Sequence, residues 1–288
     1  MTETLSARPE WAGNDPAILR EIAVETAELA AGRIVAKREE LGDIRKFVTI
    51  KSSAVDPVTV VDTMAEDFIA DRLEQLRPED GIIGEEGSSR ESISGVSWVI
   101  DPIDGTVNFL YGLPQYAVSI GAAINGEVVA GAVVNVPTGV VYSAARGEGA
   151  SRRSGAEEIR LRVNTVTDPA QVLLATGFSY SSTRRAAQAE LLTHILPEVR
   201  DIRRLGSAAL DFCALAEGSV DAFYEHGLNC WDYAAGAVIA AEAGAVVKIP
   251  NLSTPGEVGE LTFAAADKVA QSLGEIFERC GAQGPLTR

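Results

Sequence analysis

Residues 118–144 read VSIGAAI-NG-EVVAGAVVNV-PTG-VVYSA. Three runs rich in valine, isoleucine and alanine are divided by Asn125-Gly126 and by Pro137-Thr138-Gly139, both of which are tight-turn chemistry. Short β-rich runs joined this closely predict antiparallel hairpins, with strands at 118–124, 128–136 and 140–144. Upstream, 81–84 and 98–100 add two shorter strands. Before them the apolar period becomes helical. Ile18, Ile22, Leu29 and Ile34, with alanines between, predict a helix from Pro16 to about Glu40. Val61, Met64, Phe68, Leu73 and Leu76 predict a second from Val60 to Leu76, capped by Thr59 and stopped by Pro78. The first half reads as an antiparallel sheet packed on two helices.

Downstream the pattern changes again. The glycine- and charge-rich stretch 147–155 reads as a junction. Beyond it, predicted strands at 159–163, 172–176, 201–204, 222–224, 245–249 and 261–265 are interspersed with predicted helices at 183–196, 208–217, 231–243 and 267–280. The fold class is α/β (α+β), with a polar tail over 1–14, one half over 15–150 and a second over 151–288. The Pro- and Gly-bearing segment 249–260 reads as a mobile surface loop.

The chain has 288 residues, 46% hydrophobic and 23% charged, enough for one large or two intimate domains. Twenty-five Lys and Arg against forty-one Asp and Glu leave a net charge of −16. That charge argues against a broad nucleic-acid or anionic-membrane footprint, and an anionic substrate would need local positive charge. Three widely spaced cysteines make no disulfide framework and point to a reducing, cytoplasmic setting. No secretory signal is expected in the first sixteen residues, and the most apolar stretch, 234–247, is too short to span a bilayer. Two histidines, His194 and His226, cannot supply a histidine-rich zinc or iron site. A metal here would be held by carboxylates, which suit a hard cation such as Mg²⁺.

Four segments place such carboxylates at the ends of core elements. In Asp56-Pro-Val-Thr59-Val-Val-Asp62, Thr59 and Asp62 stand in the capping-box relation, which by itself explains Asp62. In Gly84-Glu85-Glu86-Gly87 the two acids could be a solvated turn. In Trp98-Val-Ile-Asp101-Pro-Ile-Asp104-Gly-Thr106, an apolar strand runs into a loop with two acids three residues apart. That spacing lets Asp101 and Asp104 grip shared cations, with the Ile103 carbonyl as a further hard oxygen and the Gly105 and Thr106 amides as a phosphate cradle. In Cys230-Trp231-Asp232, the carboxylate heads an apolar helix with no basic partner nearby in sequence, so burial there favours metal ligation.

Together with Trp231-Asp232-x-Ala-Ala-Gly236, these segments closely resemble the inositol monophosphatase family of Mg²⁺-dependent, lithium-inhibited phosphatases, from about residue 20 to about residue 280. The resemblance implies a layered αβαβα sandwich, a homodimer, and two or three Mg²⁺ ions. It implies that Glu85, Asp101 and the Ile103 carbonyl hold the first ion. Asp101, Asp104 and Asp232 hold the second, and Glu85 contributes to a third. It makes Thr106 and Asp62 the pair that orients and deprotonates the attacking water, and counts Glu85 with this catalytic set. Gly105 and Thr106 bind phosphate. Gly206, Ser207, Ala208 and Glu225 form the pocket for the leaving alcohol, Asp104 and Asp232 also face the substrate, and Lys51 sits near the metals.

Such a pocket suits a small phosphorylated polyol, inositol 1-phosphate first and histidinol phosphate second. A regulatory, metal-binding interaction protein is the rival of another class. No nucleic-acid or membrane partner is expected. His226 reads as a partly exposed loop residue and Trp98 as core. The charges of 37–40 and of Arg184-Arg185 read as solvated helix faces, and the roles of Arg203 and Arg204 stay open.

Overall fold

The computed structural model of the chain describes residues 14–50 and 57–287. Helix α1 (Pro16–Leu41) begins where Asp15 accepts a hydrogen bond from the Ala17 amide at 2.9 Å and Pro16 fixes the first turn. A short antiparallel ladder of β1 (Val48–Ile50) and β2 (Pro57–Thr59) precedes α2 (Val60–Leu76). The predicted capping box opens α2, with Thr59 and Asp62 each bonding the other's amide. Leu19, Ala23, Ala27 and Ile34 of α1 and Val61, Ala65, Ile69 and Leu73 of α2 form one buried face.

That face covers an eight-stranded sheet of β3 (Gly81–Gly84), β4 (Ser89–Arg90), β5 (Val96–Asp104), β6 (Ala117–Ile124), β7 (Glu127–Asn135), β8 (Val140–Ala145), β9 (Gly149–Ser154) and β10 (Glu157–Arg160). The spatial order is β10-β9-β8-β7-β6-β5-β3-β4. The meander closes as its turn chemistry requires: Ile124 pairs with Glu127 across Asn125 and Gly126, at φ 51° and 85°. One pair departs from the antiparallel expectation, since β3 lies parallel to β5. The segment read as a junction contains β9, and β10 extends the same sheet. The strand predicted at 159–163 ends at Arg160, so the chain crosses to the second sheet between Arg160 and Leu173.

The second sheet has the order β12-β11-β13-β15-β14, from β11 (Leu173–Thr176), β12 (Asp201–Arg203), β13 (Ala222–His226), β14 (Ala245–Lys248) and β15 (Leu261–Ala266). A short α3 (Thr106–Tyr111), which the sequence reading missed, follows β5. Helices α5 (Ala208–Ala216) and α6 (Cys230–Glu242) fill the space between the sheets, while α4 (Ser182–Ile195) and α7 (Asp267–Arg279) cover the far side of the second. The layers are αβαβα. Because α6 lies between two sheets, it is apolar all round and rich in small residues. A methyl group at Gly131 on β7 would lie 2.8 Å from Ala235 Cα, so the glycine lets helix and sheet touch.

Several surface expectations are corrected. Arg184 is only 2% exposed; it donates to the carbonyls of Leu286 at 2.7 Å, Gly256 at 2.9 Å and Glu257 at 2.7 Å. These bonds, with that from Gly256 N to Asn229 Oδ1 at 2.9 Å, pin the segment expected to be mobile. Arg185 also turns back, donating to Ser179 O at 2.8 Å. Arg38 packs its guanidinium 4.6 Å from the Phe109 ring centroid instead of pointing to solvent. Trp98 is core as expected, with Nε1 donating to buried Asp80 at 2.9 Å. Among the described residues, no helix is long and apolar enough to cross a membrane.

Candidate active site

The ends of β3 and β5 meet the starts of α2, α3, α5 and α6 around a cavity of about 880 Å³. Residues 101–104 are not the loop that their turn dipeptides suggested. β5 continues through them with a bulge: Asp101 pairs with Ser119 and Asp104 with Ala117, three residues advancing against two. In a regular strand, residues three apart face opposite sides, and the extra residue returns Asp104 to the side of Asp101. Asp101 steadies the bulge by accepting from Ile103 N at 3.0 Å.

Asp232 arrives from the head of α6, where Asn229 N donates to its Oδ2 at 2.6 Å. One carboxylate oxygen from each of Asp101, Asp104 and Asp232 lies within 4.8 Å of the others. Asp101 and Asp104 are buried; Asp232, expected to be buried, opens partly toward the cavity. Glu85 follows β3, its amide bonded to Ile100 O at 3.2 Å, and lines the same cavity. Burial first, then the charges of Glu85, Asp104 and Asp232, push the Asp101 carboxyl well above the usual range. Asp232 is raised by withdrawal from bulk water and by Glu85 and Asp104. Asp104 rises to about 6, burial outweighing the hydrogen bonds from Ser207 and Ala209 that hold it down.

Beside these acids stands a hydroxyl–carboxylate pair. Thr106 Oγ1 lies 3.2 Å from Asp62 Oδ1 and 3.1 Å from the Ile103 carbonyl. Thr59 N donates to the other Asp62 oxygen at 3.0 Å, and Thr59 Oγ1 also contacts it. Asp62 thus serves the helix cap and reaches Thr106 at once, so the two readings of this residue coexist. Asp62, Asp101, Ile103 and Thr106 sit behind the wall that Glu85, Asp104, Gly105 and Asp232 present to the cavity.

The second half closes the cavity. Ser207 caps α5 and donates to Asp104 Oδ2 at 2.5 Å, with Ala209 N adding 2.7 Å, which joins the two halves at one carboxylate. Gly206, Ser207, Ala208 and Glu225 line the cavity with them. Glu225 is raised to about 8, by burial first, with Arg204 opposing and Asp104 adding. Gly177 makes room for it, since a Cβ there would fall 1.9 Å from a Glu225 oxygen. Lys51 and Asp56 lie outside the described residues.

His226 is corrected. It is 1% exposed at the end of β13, with Nε2 2.8 Å from Ala282 O, and burial lowers its pKa. Arg203 pairs with Asp201 at 2.7 Å on the surface, whereas Arg204 lines the cavity. The reading missed Glu66, buried on α2, and Asp211, buried on α5. Each is a lone acid at an inward-facing helical position, a signal that hydrophobic periodicity contains.

The model of the inositol monophosphatase family matches residues 15–282. The inositol-1-monophosphatase SuhB of Mycobacterium tuberculosis is 49% identical over 286 residues, 95% of this chain and 98% of that one. The Nus factor SuhB of Pasteurella multocida is 39% identical over 261 residues, 90% of this chain and 95% of the other. The solved structure of Mycobacterium tuberculosis SuhB superposes with a TM-score of 0.81 at 47% identity, covering 93% of this chain and 99% of that chain.

Proposed function

Since the chain belongs to the inositol monophosphatase family and is a phosphoric monoester hydrolase, we propose that it hydrolyses inositol 1-phosphate to myo-inositol and phosphate with Mg²⁺ as cofactor. The observation that carries the reading is the convergence of Asp101, Asp104 and Asp232, with oxygens within 4.8 Å of one another, beside the Thr106–Asp62 pair. The donor set fits a hard divalent cation, because it offers only oxygens, and burial together with the charges of neighbouring acids raises Asp101 and Asp232. Glu85, Asp101, the Ile103 carbonyl, Asp104 and Asp232 would hold two or three ions. When bound, Mg²⁺ supplies the positive charge that neutralises these acids and polarises a phosphate ester.

The chain's own groups do the rest. Asp62 Oδ1 fixes the Thr106 hydroxyl at 3.2 Å, leaving Thr106 Oγ1 able to accept a proton from water and pass its own to Asp62. The Gly105 and Thr106 amides cradle the phosphate. Gly206, Ser207, Ala208 and Glu225 hold the leaving alcohol, and Asp104 and Asp232 face the substrate from the other side. Lys51 is proposed near the metals on sequence grounds alone. Family membership supports a homodimer and lithium inhibition, and the three widely spaced cysteines support a cytoplasmic location.

A phosphate-release assay over monoesters, in chelator and in millimolar Mg²⁺, tests the reading. Fast turnover of inositol 1-phosphate only with Mg²⁺ is the expected result, and a marked preference for histidinol phosphate would replace the substrate. The name of the Pasteurella relative supports a second reading, a regulatory interaction protein. No turnover of any monoester would favour it.

A further inference from the structure

The nine residues of α5 are all buried and, apart from Asp211, uncharged. Asp211 follows Ser207 by one turn, its amide donating to the Ser207 carbonyl at 2.9 Å. It is 1% exposed and lines the floor of the cavity. Its Oδ1 is buried and accepts no hydrogen bond. Packing in such a helix asks for no carboxylate, and a bare buried oxygen is costly unless something meets it.

The cavity wall on this face of the second sheet is acidic as well: Glu225 adds an acceptor-bearing side chain to the same cavity. Burial and the charges of Glu225 and Asp104 push Asp211 well above the usual carboxylate range, and only Arg204 opposes them.

We infer that Asp211 is a substrate-reading residue, whose uncommitted oxygen accepts a hydrogen bond from a donor group on the leaving alcohol. The inference rests on the phosphatase reading and deepens it. The ligand chemistry is a polyol hydroxyl or an ammonium at a distance from the ester; a second phosphate is excluded by the acceptors around it.

The test compares kcat/KM for inositol 1-phosphate and histidinol phosphate with that for p-nitrophenyl phosphate, which carries neither donor. In Asp211→Ala the ratio for the donor-bearing ester should fall at least tenfold, mostly through KM. Asp211→Leu, suited to an apolar helix, gives the same test should the alanine variant not fold. Asp211→Asn keeps an acceptor oxygen without charge: recovery of the ratio on inositol 1-phosphate identifies a hydroxyl, and a loss confined to histidinol phosphate identifies an ammonium. An unchanged ratio, or a proportional fall on every ester, overturns the inference alone. Failure of the wild type on both natural esters overturns the substrate reading and the inference with it.

Discussion

The Glu66 carboxylate accepts the Glu86 amide at 2.7 Å, and its other oxygen accepts the Ser88 amide at the same distance. A buried acid on α2 thus holds the turn that carries Glu85. The contact is close enough that a Cβ at Gly84 would lie 2.6 Å from the Glu66 carboxyl carbon. Hydrogen bonds from backbone amides to a charged acceptor are worth about 1.5–3 kcal/mol each. Glu66→Ala should therefore loosen the turn and raise the Mg²⁺ concentration for half-maximal activity about tenfold or more. Glu66→Gln, which keeps one good acceptor, should lie between. Metal titrations of initial rate would measure it, and equal Mg²⁺ requirements in all three proteins would show that the turn holds itself.

Much of this site was legible because its acids interrupt strong apolar patterns. Asp101 and Asp104 end a buried strand, Asp232 heads a helix apolar all round, and Asp62 follows a helix-start signal. What stayed hidden depends on three-dimensional return paths. The bulge at 101–104 is a register shift against β6, which no local dipeptide encodes. Arg184 looks like any charged residue on a helix until the carbonyls of 256, 257 and 286 come back to meet it. β9 carries too many charges to announce itself as a strand, and β10 lies two to three residues upstream of the run read at 159–163, both at one end of the sheet. Periodicity alone places Glu66 on the inward face of α2, but its partners, the amides of 86 and 88, lie twenty residues and more downstream.

Thr106 has one hydroxyl hydrogen and two acceptors within reach, Asp62 Oδ1 at 3.2 Å and Ile103 O at 3.1 Å. Thr106→Val preserves the shape and removes the hydroxyl. Loss of a positioned general base lowers turnover by roughly 10²–10⁴. The expected result is a fall of that size in kcat with little change in KM, and recovery of most activity in Thr106→Ser. A valine variant within threefold of wild type would remove Thr106 from the proton path.

In metal-free protein, stability should decline as pH rises through the range in which the site acids ionise. Asp104 moves from its ordinary 3.8 to about 6, and Glu225 from 4.5 to about 8. Between the ordinary and folded values the native state binds more protons than the unfolded chain, so these groups make unfolding easier with each step up in pH. Their contribution is favourable near pH 4; that of Asp104 is lost as pH rises through about 6 and that of Glu225 as it rises through about 8. Mg²⁺ competes with protons for the oxygens of Asp104 and its neighbouring acids, so the rise in Tm that it produces should grow from pH 5 to pH 8. Thermal unfolding at several pH values, with chelator and with Mg²⁺, gives both slopes. A Mg²⁺ effect that shrinks with rising pH would contradict the assignment.

Arg184 ties the C-terminal segment to the cavity wall through three carbonyls, those of Gly256, Glu257 and Leu286. Arg184→Met retains much of the stem packing but leaves buried carbonyls without their donor, each loss worth about 1–3 kcal/mol before relaxation. The losses are not additive, and a total near 3 kcal/mol would lower Tm by roughly 6–12 °C in a protein of this size. Because Leu286 N also bonds Gly259 O at 2.8 Å, the tail and the 256–259 turn should loosen together. Limited proteolysis should then cut the variant near residues 281–287 much faster than wild type, and KM for the phosphate ester should rise more than kcat falls, since Gly256 and Glu257 line the cavity. A variant with wild-type Tm and an uncut tail would mean that the tail is held by its apolar contacts, with Arg184 adding little.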